Sequence, residues 1–125
     1  MVNIKPHVLQ ALRGDADIIQ LLGGPKVYQQ EPPEKVVPPL ITFVEVDNEP
    51  HIYAGEIEVI SRITMGVTPW VEKNKSTSAI AKAIDRVMHD LGGKRERASD
   101  DEETVCESKP MAYSFIVDNE TEEIL

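Results

Sequence analysis

Three segments between residues 40 and 93 decide the fold: LITFVEVD (residues 40–47), IEVISRITM (residues 57–65) and SAIAKAIDRVMHDLGG (residues 78–93). The second segment alternates: Ile63 and Met65 share one face and Arg62 and Thr64 the other, as in a half-buried antiparallel strand. In the third segment apolar residues recur at spacings of three and four, which indicates one apolar side of a helix. A sheet face and a helix stripe must cover each other. The segments therefore predict an α+β domain.

The flanking sequence adds elements of the same kinds. Residues 6–22 predict a helix interrupted at Gly14 and restarted by Asp15 as N-cap, and Gly23-Gly24-Pro25 predicts its end. Val27 and Tyr28 predict a brief edge strand, and the alternation over residues 111–117 predicts a last strand. The expected architecture is a mostly antiparallel sheet with two main helices packed on one face.

Prolines and glycines place the expected loops. Pro50 and Gly55 predict a loop over residues 48–56, and Pro69 predicts a linker over residues 66–74 that leads to a helix cap at one of three positions, namely Asn74, Ser76 or Ser78. Residues 119–125 are short and acidic, so we expect them to fray.

Size and charge limit the possible functions. A chain of 125 residues is expected to form one domain, residues 1–125, with one core. Its net charge of −9 excludes a free-standing basic surface for nucleic acid. Cys106 is the single cysteine and has no partner for an intrachain disulfide. The least polar run, residues 36–44, is too short to cross a bilayer and the first residues lack a signal-peptide pattern, so a soluble protein of a reducing cytosol is expected.

Residues suited to catalysis do not form a known pattern. The three histidines fall on separate predicted elements, and the acidic run Asp100, Asp101, Glu102 and Glu103 lacks the spacing of a calcium loop, so a solvated hairpin tip is the better interpretation. A small hydrolase or metal enzyme would require His51, Cys106 and this run to converge. We expect no catalytic residue, no metal and no cofactor.

Four bulky side chains lie in predicted loops or edges where a core does not obviously claim them: Tyr28, Ile52, Tyr53 and Trp70. Aromatic residues in such positions are enriched at protein interfaces. A tryptophan that folds back onto its own domain is the open alternative. These four residues are the predicted contact residues.

The pattern as a whole resembles the small tail-completion, or tail-terminator, proteins of long-tailed double-stranded DNA bacteriophages and prophages. The resemblance is carried by the broken opening helix, the run Gly23 to Tyr28, a proline-bearing link, the strand that opens with Pro39-Leu40-Ile41-Thr42-Phe43, and the later segments Glu58 to Met65, Ala79 to Leu91 and Ala112 to Val117. These are degenerate apolar patterns that are specific only in combination.

The resemblance implies a non-enzymatic structural virion protein. Such a subunit forms a ring, usually a hexamer, at the end of the tail tube and joins the tail to the head. Its implied partners are copies of itself, the tail tube protein, a head-completion protein and DNA that passes through without specific binding, with no membrane. It is assembled in the host bacterial cytoplasm.

Two hypotheses accompany this interpretation. If the acidic residues Asp100, Asp101, Glu102 and Glu103, or the loop at residues 48–56, line the channel, their negative charge keeps DNA from adhering. The alternative function is a monomeric cytosolic module that binds a basic protein through the same acidic surface.

Overall fold

A computed structural model describes residues 1–33, 36–102 and 106–125. These residues form three α-helices and seven strands. The helices are α1 (Lys5–Arg13), α2 (Ala16–Leu22) and α3 (Ser78–Leu91). The strands are β1 (Val27–Gln29), β2 (Leu40–Ala54), β3 (Ile57–Glu72), β4 (Lys94–Ala98), β5 (Asp101–Glu102), β6 (Cys106–Ser108) and β7 (Met111–Asp118).

The described strands belong to one sheet, which is organised around the long strand β3. On one side β3 pairs with β2, which pairs in turn with β1. On the other side β3 pairs first with β7 and then with β6, and these carry β4 and β5 at the outside. Among these pairings β1 with β2 is parallel and the others are antiparallel. The predicted α+β class with a mostly antiparallel sheet is therefore confirmed.

The core lies between one face of the sheet and the helices. The sheet contributes alternate residues of β3 and β7, and α3 contributes the apolar stripe predicted from its spacing. Fully buried members include Phe43, Ile63, Met65, Ile84, Met88 and Phe115. Gly93 allows the chain to approach Phe115 closely, because a Cβ atom at this position would lie 2.7 Å from the Phe115 ring.

The opening helix is broken as predicted. Asp15 caps α2: its Oδ2 accepts a hydrogen bond from the Ile18 N–H at 3.1 Å. The Arg86 guanidinium of α3 lies 2.8 Å from the same carboxylate and connects the two helices. Burial raises the pKa of Asp15, but the bonds from Arg86 and Ile18 outweigh burial, so the pKa lies below its usual value. The left-handed Gly23 ends α2.

The predicted caps of α3 were wrong. Its N-cap is Thr77, whose side chain makes no capping hydrogen bond. The Ser76 hydroxyl, one residue before the N-cap, instead accepts a hydrogen bond from the Ser78 N–H at 3.1 Å. Gly92, in the left-handed region at φ 104°, ends the helix as predicted.

The loop predicted over residues 48–56 was also wrong, because β2 continues to Ala54. Beyond the short contact with β1 at residues 41–43, this part of β2 is an edge among the described strands, and an edge tolerates a proline such as Pro50. The real turn is the two residues Gly55 and Glu56, where Gly55 has φ 65°. A glycine at the first position of a two-residue hairpin loop favours this tight reversal.

The linker predicted over residues 66–74 was wrong for a related reason. Strand β3 continues to Glu72 through Pro69. On its second side β3 pairs with β7 up to Val67 and with β6 from Trp70 onwards, so Pro69 falls where the partner strand changes. A residue without an N–H is least disruptive at such an interruption.

The last seven residues, which were predicted to fray, instead fold back on the sheet. Ile124 forms a bridge with Val117 and packs against the core, and the Leu125 N–H donates to the Ile116 carbonyl at 2.8 Å. The apolar side chain and the backbone hydrogen bonds hold this segment at the end of β7.

Candidate interaction surfaces

The end of the β2–β3 hairpin carries three exposed large apolar side chains. We call residues 50–57 the hairpin tip. Strand β7 ends with Asp118 opposite Ile60, so the hairpin tip extends past it, and among the described residues the strand pairing there joins β2 and β3 alone. Ile52, Tyr53 and Ile57 are 50%, 57% and 70% exposed. Three large apolar side chains in water on a protruding hairpin are typical of a contact surface.

The base of this hairpin, in contrast, is fixed by polar contacts. The Asn119 N–H donates to the Val59 carbonyl at 3.0 Å and its side-chain amide donates to the Glu58 carbonyl at 3.1 Å. Hydrogen bonds from Ser61 and Asn119 lower the pKa of Glu58, so that its carboxylate is charged at neutral pH. The base of the hairpin is therefore held by hydrogen bonds to Asn119, which follows β7.

A second connection crosses the face of the sheet that the helices leave uncovered, which we call the open face. Arg62 lies 3.3 Å from Glu49 of β2 and 3.1 Å from Glu96 of β4. The Ser114 hydroxyl donates to Glu96 at 2.6 Å. This hydrogen bond, followed by the contact with Arg62, lowers the pKa of Glu96. The chain of contacts ties β2, β3, β7 and β4 together.

Trp70 and Tyr28 lie far from the hairpin tip. Trp70 is on β3, not in a loop; it is partly buried, and its Nε1–H donates to the Thr42 hydroxyl at 2.9 Å. Tyr28 lies opposite Thr42 on β1, and the Arg13 guanidinium is 5.9 Å from its ring centre. The structure thus divides the four predicted contact residues into two pairs, Ile52 with Tyr53 and Tyr28 with Trp70.

The open face also carries a small apolar patch. Val44 and Val46 are exposed, and both lie over Gly66, where a Cβ atom would meet them at 3.5 and 3.2 Å. Gly66 lies opposite Ala112 of β7. Because Gly66 and Ala112 are small, the two valines contact the sheet.

A groove of about 660 Å³ runs between α3 and the edge strand β4, and sequence reasoning missed it. Its cations are Lys82, Arg95, Arg97 and Lys109, and its apolar lining is formed by Ala81, Ala98 and Met111. We call this the basic groove. Two acids also line it, Asp85 and Glu96. The run KRER at residues 94–97, unusual in an acidic chain, is the sequence signal that could have indicated it.

Asp85 of the basic groove is engaged inside the protein. It accepts a hydrogen bond from the Tyr113 hydroxyl at 3.0 Å and pairs with Arg95 at 3.4 Å. Burial, followed by the contact with Asp85, raises the pKa of Tyr113, so its hydroxyl stays protonated as the donor. This contact fixes the wall of the groove.

The predicted acidic segment lies at the other end of β3. Asp101 and Glu102 form β5, which pairs with β6 next to residues 70–72 of β3. Asp100 is exposed and lies 3.7 Å from Lys109. Glu103 falls outside the described residues. The segment and the hairpin tip therefore occupy opposite ends of the long strand.

The residues of the enzymatic hypothesis do not converge. His51 follows Pro50, which lies opposite Ser61 of β3, whereas the buried Cys106 lies opposite Glu72, eleven residues further along the strand. At about 3.3 Å per residue this is a separation of roughly 35 Å. Among the described residues no group of three His, Cys, Asp or Glu side chains is placed to hold a metal ion. No described helix is long and apolar enough to span a membrane.

Comparison with known proteins agrees with the predicted family. A family model described as "Tail completion protein gp17" matches residues 6–104, which run from the first helix past β4. No curated protein matches the chain.

Proposed function

Because the chain belongs to the tail completion protein gp17 family, we propose that it closes into a hexameric ring at the end of the phage tail tube and joins the tail to the head. The family gives the chain a structural role in the phage tail and contacts with other tail components. In the proposed role it is a non-enzymatic part of the virion, assembled in the cytoplasm of the host bacterium.

The hairpin tip is the observation that carries this proposal. Ile52, Tyr53 and Ile57 are left in water on a hairpin whose base is held by Asn119. An apolar surface of this kind gains free energy when another protein removes it from water, at about 25 cal/mol per Å². A rigid support lowers the entropy that such a contact costs. Contact through a projecting, preformed element suits a protein that acts by assembly.

A ring also requires two different surfaces on each subunit. Contacts between copies in a ring are head to tail, so each copy presents one patch to the copy before it and another to the copy after it. Tyr28 and Trp70 lie near one end of the open face, away from the hairpin tip. We assign them to a second contact, with the tail tube protein or a head-completion protein.

The acidic segment suits the channel of such a ring. Asp100 and Asp101 are exposed at the end of β3 opposite the hairpin tip. In the proposed ring Asp100 and Asp101 face the passing DNA, whose phosphates they repel. DNA then passes without being bound.

Electron microscopy of particles produced without this protein tests the proposal. We expect heads and tails that are complete but not joined, or tails of irregular length, and joining restored when the purified protein is added. Particles that remain joined and infectious would contradict the proposal.

Sedimentation of the purified protein with isolated tail tubes separates the proposal from its alternative. A tail component is expected to sediment with the tubes. A protein that stays monomeric in the supernatant, and instead binds a basic host protein, would favour the cytosolic binding module.

A further inference from the structure

The hairpin tip and the basic groove have opposite charge and lie on different parts of the same subunit. The hairpin tip contains one glutamate, Glu56, and no Asp, Lys or Arg. Glu56 is exposed at the turn, beside the apolar residues of the tip. The tip thus combines an apolar surface with negative charge.

The basic groove offers the complementary combination. It gathers four of the chain's 13 Lys and Arg residues, although the net charge of the chain is −9. Its two acids are already engaged, Asp85 by Tyr113 and Arg95, and Glu96 by Ser114 and Arg62. Within the described residues neither Lys82 nor Arg97 forms an ion pair, so both cations remain available to a ligand.

The two surfaces of one copy are too far apart to meet. The basic groove includes Met111, which lies opposite Val67 of β3, and Ile57 of the hairpin tip lies ten residues earlier on that strand. This distance is roughly 33 Å along the sheet. The hairpin tip is held at its base, so it projects away from the groove of its own subunit.

We propose that the hairpin tip of one copy docks in the basic groove of the next copy, with Ile52, Tyr53 and Ile57 against the apolar lining and Glu56 facing Lys82 and Arg97. The inference rests on the proposed ring and names its contact. The contact is head to tail, as a closed ring requires, because it joins two different patches of the same chain. Opposite charges set the register and disfavour a tip-to-tip contact.

Charge reversal at both sides tests the docking in the full-length protein. Glu56→Arg and Arg97→Glu are each expected to lower association with tail tubes and with other copies by about tenfold, because each places like charges together. The double variant Glu56→Arg/Arg97→Glu restores an opposite pair at every contact, and association is expected to return to within about threefold of the wild type.

Matched controls reverse charge elsewhere. Glu31→Arg and Lys75→Glu change the net charge by the same amounts at exposed positions outside both surfaces and are expected to leave association unchanged. Both reversed side chains are exposed, so we expect each variant to fold. Circular dichroism of each variant checks this.

Each outcome decides the inference. Single variants that associate normally would overturn it. Single variants that both fail, without rescue in the double variant, would also overturn it, because the two surfaces would then contact other partners. If Arg97→Glu abolishes binding of a duplex DNA probe while Glu56→Arg has no effect on assembly, the groove serves nucleic acid instead. A wild-type protein that never associates with tails or with itself would refute the proposed ring.

Discussion

Strand β3 passes through two environments, and the contrast between them explains how the molecule separates stability from contact. From Ser61 to Val71 alternate side chains of β3 are buried under the helices, and Ile63 has no exposed surface. At the start of the same strand Ile57 is 70% exposed. The same residue type, on the same strand, is buried in the core at one position and exposed to water at the other.

The largest test of this contrast compares two isoleucines of β3. Ile63→Ala removes buried methyl groups and leaves a cavity, so we expect a loss of about 2–5 kcal/mol in the free energy of unfolding. Ile57→Ala is expected to change it by less than about 0.5 kcal/mol. Urea unfolding of the two purified variants measures both values. Similar losses would mean that the hairpin tip belongs to the core.

A smaller effect is expected at Trp70, which lies at the far end of β3 and is partly buried. Trp70→Phe removes the hydrogen bond to Thr42, with an expected loss of about 0.5–1.5 kcal/mol. Thr42→Val removes the same bond from the other side, so the double variant should lose less than the sum of the two single losses.

An assay of attachment to tail tubes distinguishes a contact role of Trp70 from a role in the core. Trp70→Ala is expected to leave a folded monomer and to lower attachment, whereas Trp70→Phe keeps the aromatic surface and attaches normally. An unfolded Trp70→Ala variant would place this residue with the core and not with the contact surfaces.

The smallest expected effect is the pH dependence of the stabilisation by Asp15, which lies in the part of the molecule that contains the helices. The pKa of Asp15 is lowered below 3.8 in the folded state, so its stabilising effect is fully present above pH 3.8 and is lost as the pH falls through the folded-state pKa. Asp15→Asn keeps a capping oxygen but loses the charge pair with Arg86. Because the Arg86 side chain is exposed, the free energy of unfolding of the wild type should exceed that of the variant by only about 0.5 kcal/mol at neutral pH.

Urea unfolding across the acid range measures this difference. The gap between wild type and Asp15→Asn should close well below pH 3.8. Asp17→Asn, at a more exposed carboxylate 3.4 Å from Arg86, is the control and should show a smaller gap. A gap that persists in acid would mean that the substitution acts through the cap and not through the charge.

Sequence reasoning located the core elements because their periods are local properties. The spacing in α3 and the alternation in β7 each depend on residues that are neighbours along the chain, and the structure confirms both. It failed at Pro50 and Pro69, because the effect of a proline on a strand depends on whether a partner strand lies beside it. That information is not local.

The candidate contact residues were predicted from their expected positions in loops or edges. Ile52 and Tyr53 are exposed as that prediction requires, whereas Trp70 is partly buried on a strand. The basic groove was missed because Lys82 lies on α3, Arg97 on β4 and Lys109 between β6 and β7, and only the packing of α3 beside β4 brings them together.

The sequence by itself determined the α+β class, the broken opening helix, the C-terminal ends of α2 and α3, and the acidic net charge. Each follows from composition or from interactions a few residues apart. Only the tertiary structure decided that β2 and β3 form one long hairpin, that its tip is bare, and that four cations line a groove. Burial and charge clustering depend on which elements pack together, and residues distant in the chain determine that packing.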